Sequence, residues 1–122
     1  MAFRALRFQR CPRLLEAADN KPALRKGENS EAVAILQQAL IDLGYPMPIS
    51  TRRTGRPDGI FGDETEATVA TFQQKERLSR DGVAGRHTLG RLDVLYAIRE
   101  ATAEAVFMAA LQLPPPRGCY GK

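Results

Sequence analysis

At 122 residues, 43% hydrophobic and 26% charged, the chain has the size and balance of one small globular domain with appendages. No stretch approaches the roughly 20 apolar residues that span a bilayer. One histidine and two distant cysteines, Cys11 and Cys119, supply no ligand set for a structural zinc.

The net charge of +4 is local: residues 1 to 26 hold seven Arg or Lys against Glu16 and Asp19, and Arg52, Arg53 and Arg56 form a second cluster. Arg4, Arg7, Arg10 and Arg13 have no apolar run behind them, so the start is a poor secretory signal. That predicts synthesis in the cytoplasm, with action in the cell envelope or on a secreted particle left open. Residues 1 to 21 read as an N-terminal extension whose Phe3, Leu6, Phe8, Leu14 and Leu15 can pack on a neighbouring domain. Lys21-Pro22 marks its end. Cys11 and Cys119 read as two unpaired thiols or as a bridge joining the tails.

The first helix is expected from Ser30 to Leu43. Asn29 and Ser30 supply capping side chains, and Val33, Leu36, Leu40 and Leu43 make one apolar stripe. Gly44 ends it, and Tyr45-Pro46 turns the chain. Residues 46 to 57 form a loop, long for so small a domain. A second helix is expected from Asp63 to Arg77, with Val69 and Phe72 facing inward. A third starts near Arg86 with Leu89, Leu92 and Leu95 on its apolar side. No Gly or Pro interrupts residues 91 to 113, which predicts a helix of roughly 20 or more residues, with a break near Asp93 an option. Pro114-Pro115-Pro116 stops it, and residues 114 to 122 read as a tail. No period-2 alternation is long enough for a strand; Ile60-Phe61 and Val83 allow a two-residue bridge at most. The fold class is therefore all-α.

One phrase is written twice. Asp58-Gly59-Ile60-Phe61-Gly62-Asp63-Glu64-Thr65 and Asp81-Gly82-Val83-Ala84-Gly85-Arg86-His87-Thr88 share Asp, Gly, Gly and Thr at a constant offset. Asp-Gly signals a tight turn, because glycine takes positive φ at little steric cost. An apolar residue then enters the core, with Ile60, Phe61 and Val83 as candidates, and a helix begins. The duplication reaches into the helices before the turns, where Val33 to Gln38 parallels Val69 to Gln74.

With these residues in order, residues 22 to 93 resemble the peptidoglycan-binding domain of the three-helix type, a module carried by cell-wall hydrolases and phage endolysins. The resemblance rests on Leu24, Gly27, Val33, Leu36-Gln37, Leu40 and Leu43-Gly44-Tyr45. It continues through Asp58-Gly59-Ile60-Phe61-Gly62, Thr65, Val69 and Phe72-Gln73, then Leu78, Asp81-Gly82-Val83, Gly85 and Thr88. The 46–57 loop is longer and more basic than the family's, and the helix 94–113 lies outside it.

The resemblance implies a compact three-helix fold that binds peptidoglycan without catalysing its cleavage, and needs no cofactor. Asp63, Glu64 and Glu66 read as acids favoured at a helix start rather than as catalysts. A wall polymer offers hydroxyls, amides and carboxylates, so candidate ligand contacts are Tyr45, Arg52, Arg53, Gln73 and His87. The rival expectation is a structural or adaptor role in a phage-tail-like or injection particle. Its docking element is the 94–113 helix, with Leu95, Ile98, Val106, Met108 and Leu111 as contacts, unless that helix packs on its own domain. Nucleic-acid binding through the basic N-terminus is the weakest of the three readings, and no membrane contact is expected.

Overall fold

The computed structural model describes residues 3 to 110, with side chains through residue 103. Four helices follow a 3-10 turn at Leu6–Phe8: α1 (Pro12–Ala18), α2 (Glu31–Asp42), α3 (Asp63–Lys75) and α4 (Arg86–Ala110). The described residues hold no named strand, so the chain is all-helical as expected, with isolated antiparallel bridges pairing Leu24 with Ala84 and Asn29 with Ile60.

Helices α2 and α3 begin and end for local reasons. The Ser30 side chain caps α2 by accepting from the Val33 N–H at 3.4 Å. Val33, Leu36 and Leu40 are fully buried along its inner stripe, and Gly44 at φ +98° closes it. Asp63, Glu64 and Glu66 fill the first turn of α3, where the helix dipole favours negative charge. Arg77, at φ +59°, plays at the end of α3 the part Gly44 plays after α2. Val69 and Phe72 are buried between them.

The N-terminal segment is part of this structure rather than an appendage to it. Phe3, Ala5, Phe8, Cys11, Leu14, Ala17 and Ala18 belong to the same buried cluster as Leu36, Phe72 and Leu92. Residues 12 to 18 form a helix that the sequence reading did not anticipate. Pro12 fits its first turn, and α1 packs against α4. Cys11 is buried with a free thiol, and Cys119 lies outside the described residues.

The helix α4 runs through Asp93 without a break. Asp93 is buried, and its carboxylate accepts from the backbone N–H of Arg4 (2.9 Å) and Ala5 (2.7 Å). Two turns on, Glu100 accepts from Leu6 N–H at 3.0 Å. The two carboxylates hold the N-terminal segment along α4. Phe8 then packs edge-on to Tyr96 with ring centres 5.7 Å apart, and Arg7 lies over that ring while bonding Asp42. The Tyr96 hydroxyl donates to the Ala39 carbonyl. Burial pushes the Tyr96 hydroxyl pKa up. Asp42 is held below the usual carboxylate range: burial pulls it upward, but bonds from Arg7 and Gln38 outweigh that. On the other side, Arg13 pairs with Glu28 through two bonds of 2.7 and 2.9 Å, which lower the Glu28 pKa.

Candidate functional site

Both copies of the repeated phrase fold around a buried glutamine. In the first, Gln37 Nε2 lies 3.2 Å from Asp58 Oδ1 and 3.0 Å from both the Ile60 carbonyl and Thr65 Oγ1, while its Oε1 accepts from Gly59 N–H at 2.9 Å. In the second, Gln73 Nε2 lies 2.8 Å from Asp81 Oδ1 and 2.9 Å from the Val83 carbonyl and Thr88 Oγ1, while Oε1 accepts from Gly82 N–H at 2.9 Å. Each aspartate also accepts from the N–H two residues on, at Ile60 and Val83. Each glycine has positive φ, +74° at Gly59 and +72° at Gly82. A Cβ on Gly82 would stand 2.8 Å from Glu66 Cγ.

These turns correct two expectations. Ile60 is not a core residue: it is 50% exposed, whereas Phe61 and Ala84 are buried. The chain leaves the turn extended, so alternate side chains point outward, and the residue after the expected one enters the core. Gln73 was expected to meet ligand. Its amide is instead spent inside the turn and its side chain is 1% exposed, so it builds the site's wall.

The 46–57 loop folds back on the start of α3. Met47 and Ser50 are buried, and the N–H groups of Ile49 and Ser50 donate to the Glu64 carboxylate at 3.0 and 2.8 Å. Burial alone would raise the Glu64 pKa, but these two bonds outweigh it and hold it below the ordinary value. A cleft of about 250 Å3 lies beside this contact, lined by Tyr45, Pro46, Glu64, Ala67, Thr68 and Thr71. Tyr45 is half-buried, edge-on to Phe72 and beneath Lys75, and burial raises its pKa. Arg52 and Arg53 are exposed on the far part of the loop.

A larger cleft, about 370 Å3, opens beside the second turn; Asn20, Arg77, Ser79, Asp81, Arg86 and His87 are among its lining residues. Arg77, Arg86 and His87 are exposed, so three basic side chains stand at one opening. The Asn20 side chain accepts from the Arg86 backbone N–H at 2.9 Å and so caps α4 from 66 residues away.

The expected ligand contacts thus separate. His87 and Gln73 reach the larger cleft, Tyr45 the smaller one, and Arg52 and Arg53 neither. Asn20 and Arg77 were missed. Asn20 is brought in by tertiary packing and carries no local signal. Arg77 could have been found by matching it to Gly44 at the close of the preceding helix. Of the expected partner contacts, Leu95 packs against the domain's own core, while Ile98 is 59% exposed. Val106 and Met108 have side chains outside those described, and Leu111 lies outside the described residues. Among the described residues no three His, Cys, Asp or Glu side chains gather to hold a metal, and no helix is long and apolar enough to cross a membrane.

Comparison with known proteins agrees with this fold. In an 82-residue alignment that covers 58% of this chain, it is 34% identical to the type VI secretion system spike protein VgrG3 of Vibrio cholerae, of which it spans only 8%. A crystal structure of a peptidoglycan-binding protein from Clostridioides difficile, in complex with glutamine hydroxamate, superposes with a TM-score of 0.52 at 34% identity. That match covers 61% of this chain and 42% of the other. Residues 29 to 92, more than half of the chain, match the family model described as "Putative peptidoglycan binding domain", and the chain belongs to that peptidoglycan-binding domain family.

Proposed function

We propose that the chain binds bacterial cell-wall peptidoglycan without cleaving it. The observation that carries this reading is the open cleft beside the second turn, where Arg77, Arg86 and His87 meet on a frame fixed by Gln73. Cationic donors on a rigid backbone suit a polymer that presents carboxylates and amides. Family membership and the similarity to a peptidoglycan-binding protein support it. Arg52 and Arg53 add a peripheral cationic contact from the exposed loop. The non-catalytic part rests on the chemistry at hand: His87 is exposed at a helix start, and Cys11 is buried in the core. In the test, the full chain is spun down with purified sacculi. It pellets with them and releases no soluble muropeptides, and R52A/R53A weakens pelleting at low salt. No pelleting at low salt refutes the binding, and released fragments refute the absence of chemistry.

A second reading concerns where the domain works. The similarity to a secretion-system spike protein favours service on an injection particle, with the outer face of α4 as the docking element. Val94 and Ile98, one turn apart, are 49% and 59% exposed there. Truncation at residue 94 is a poor test, because it removes Tyr96 from the core. Substituting V94E and I98E keeps the fold. Loss of a copurifying particle component with sacculus binding intact supports this reading, and unchanged copurification removes it.

A further inference from the structure

The two turns are copies, but what lies beside them differs. Gly44-Tyr45-Pro46 corresponds to Arg77-Leu78-Ser79, since both follow a helix through a positive-φ residue. In both, the next N–H returns to a carbonyl five residues back, Tyr45 to Leu40 and Leu78 to Gln73. Asp63-Glu64-Thr65 corresponds to Arg86-His87-Thr88 through the repeated phrase. Tyr45, Pro46 and Glu64 line the first cleft, and Leu78, Ser79 and His87 line the second.

In the first copy the chain covers part of the space itself and leaves the smaller cleft. Its buried glutamine and its aspartate stand 21 residues apart, against 8 in the second copy; α2 runs slightly further past its glutamine than α3 does, and most of the extra length is the 46–57 loop. That loop lays the Ile49 and Ser50 amides on the acceptor Glu64. In the second copy only Ser79 and Arg80 separate Leu78 from Asp81, so no loop takes the corresponding place opposite His87. The polarity is also inverted. Gly44, Asp63 and Glu64 become Arg77, Arg86 and His87. Acids are nearby as well: Asp81, with one oxygen committed to the turn, Asp19 near Arg86, and Glu66 against Gly82.

We infer that the second cleft receives a peptide bearing a free carboxylate, in the place where the first copy holds its own loop. The assignment rests on the wall-binding reading and names the peptide stem, rather than the glycan strand, as the part recognised. The first copy shows that the seat accepts backbone, there folded into the turns of residues 48 to 54. There a carboxylate meets amide N–H groups; in the second copy guanidinium and imidazole donors call for carbonyl and carboxylate acceptors. A glycan of N-acetylated sugars offers hydroxyls and amides but gives two arginines no anion to pair with.

The test is a titration of the isotopically labelled full chain, read from its backbone amide resonances, with three soluble probes. These are a wall stem tripeptide with free carboxylates, the same peptide with every carboxylate amidated, and a tetramer of N-acetylglucosamine. The free-acid peptide is expected to shift resonances of residues 77 to 88. Amidation weakens it by about tenfold, the worth of one charge-assisted bond, and the sugar leaves these resonances in place. R77Q and R86Q each weaken the peptide while the rest of the spectrum keeps its positions. Equal response to the sugar, indifference to amidation, or no shift in 77–88 with the free peptide overturns the assignment. If the chain still pellets with sacculi in that case, only the choice of the stem has failed. If it does not pellet, the wall-binding reading falls as well.

Discussion

Replacing Gln73 by leucine removes the hub of the second turn while keeping most of its volume. Leucine returns none of the five contacts: Nε2 to Asp81 Oδ1, the Val83 carbonyl and Thr88 Oγ1, and Oε1 from the N–H groups of Asp81 and Gly82. Their fates differ. The Asp81 N–H retains the Ser79 carbonyl at 3.1 Å. The Thr88 hydroxyl retains the Val83 carbonyl at 3.5 Å. The Gly82 N–H is buried and is left with no acceptor. One orphaned buried donor costs about 1–3 kcal/mol, and the lost bonds bring the total to about 2–3 kcal/mol. Against a domain stability of about 5–15 kcal/mol, the urea midpoint then falls by about 1–2 M. Gln37→Leu in the first copy, leaving the buried Gly59 N–H in the same position, falls by a similar amount. Equilibrium unfolding followed by circular dichroism measures both. A loss under about 0.5 kcal/mol for Gln73→Leu, the range of ordinary surface changes, refutes the claim that this amide organises the turn.

Gly82→Ala combines a left-handed backbone at φ +72° with a Cβ placed 2.8 Å from Glu66 Cγ, so stability drops by about 1–2 kcal/mol; unchanged thermal unfolding contradicts the strain. Asp93→Ala strips the acceptor from the Arg4 and Ala5 amides. Their hydrogen exchange speeds up by at least about tenfold, from the loss of a bond to a charged group worth about 1.5–3 kcal/mol, and native-like protection at Ala5 shows that the strap is held by other means. The Glu64 contact gives a pH effect of known sign. Its folded-state pKa is lowered, so its contribution is complete above the ordinary glutamate value of about 4.3 and is lost as pH falls through the lower folded value. On acid titration the amide resonances of Ile49 and Ser50 move in that window and Glu64→Gln abolishes the movement; resonances that stay fixed in the native protein disprove the link.

The parts of the fold that repeat in the sequence were the parts that could be read from it. Spacing of Val33, Leu36 and Leu40 gave α2, and the paired Asp-Gly turns gave the corners, because these depend on neighbours close in the chain. The same turns concealed the role of Gln73. A buried glutamine and an exposed one look alike until its partners, Asp81 and Thr88, fold around it. Comparing Gln37 with Gln73 across the repeat would have exposed it, since two unrelated ligand contacts have no reason to recur at one structural position. The packing of Phe3, Phe8 and Leu14 was legible, but the fastening of the N-terminal segment to α4 escaped for a different reason. Its anchor points, Asp93 and Glu100, lie about 90 residues away and act on backbone amides, which leave no trace in side-chain pattern. The same holds for Asn20, whose cap on α4 crosses 66 residues. Asp93 looked like a helix breaker for the same reason: a lone acid in an apolar helix is unfavourable until its partner is known.

Attachment to the wall through the cationic opening beside the second turn is the proposal to be tested. Its most direct measurement compares sacculus binding isotherms for the native chain and for R86E, with unchanged circular dichroism as the control for folding. Binding by the native chain is expected to saturate. R86E is expected to lose at least tenfold, since charge reversal replaces an attraction by a repulsion worth more than about 1.4 kcal/mol. Equal binding by the two proteins, or no binding by the native chain, contradicts it.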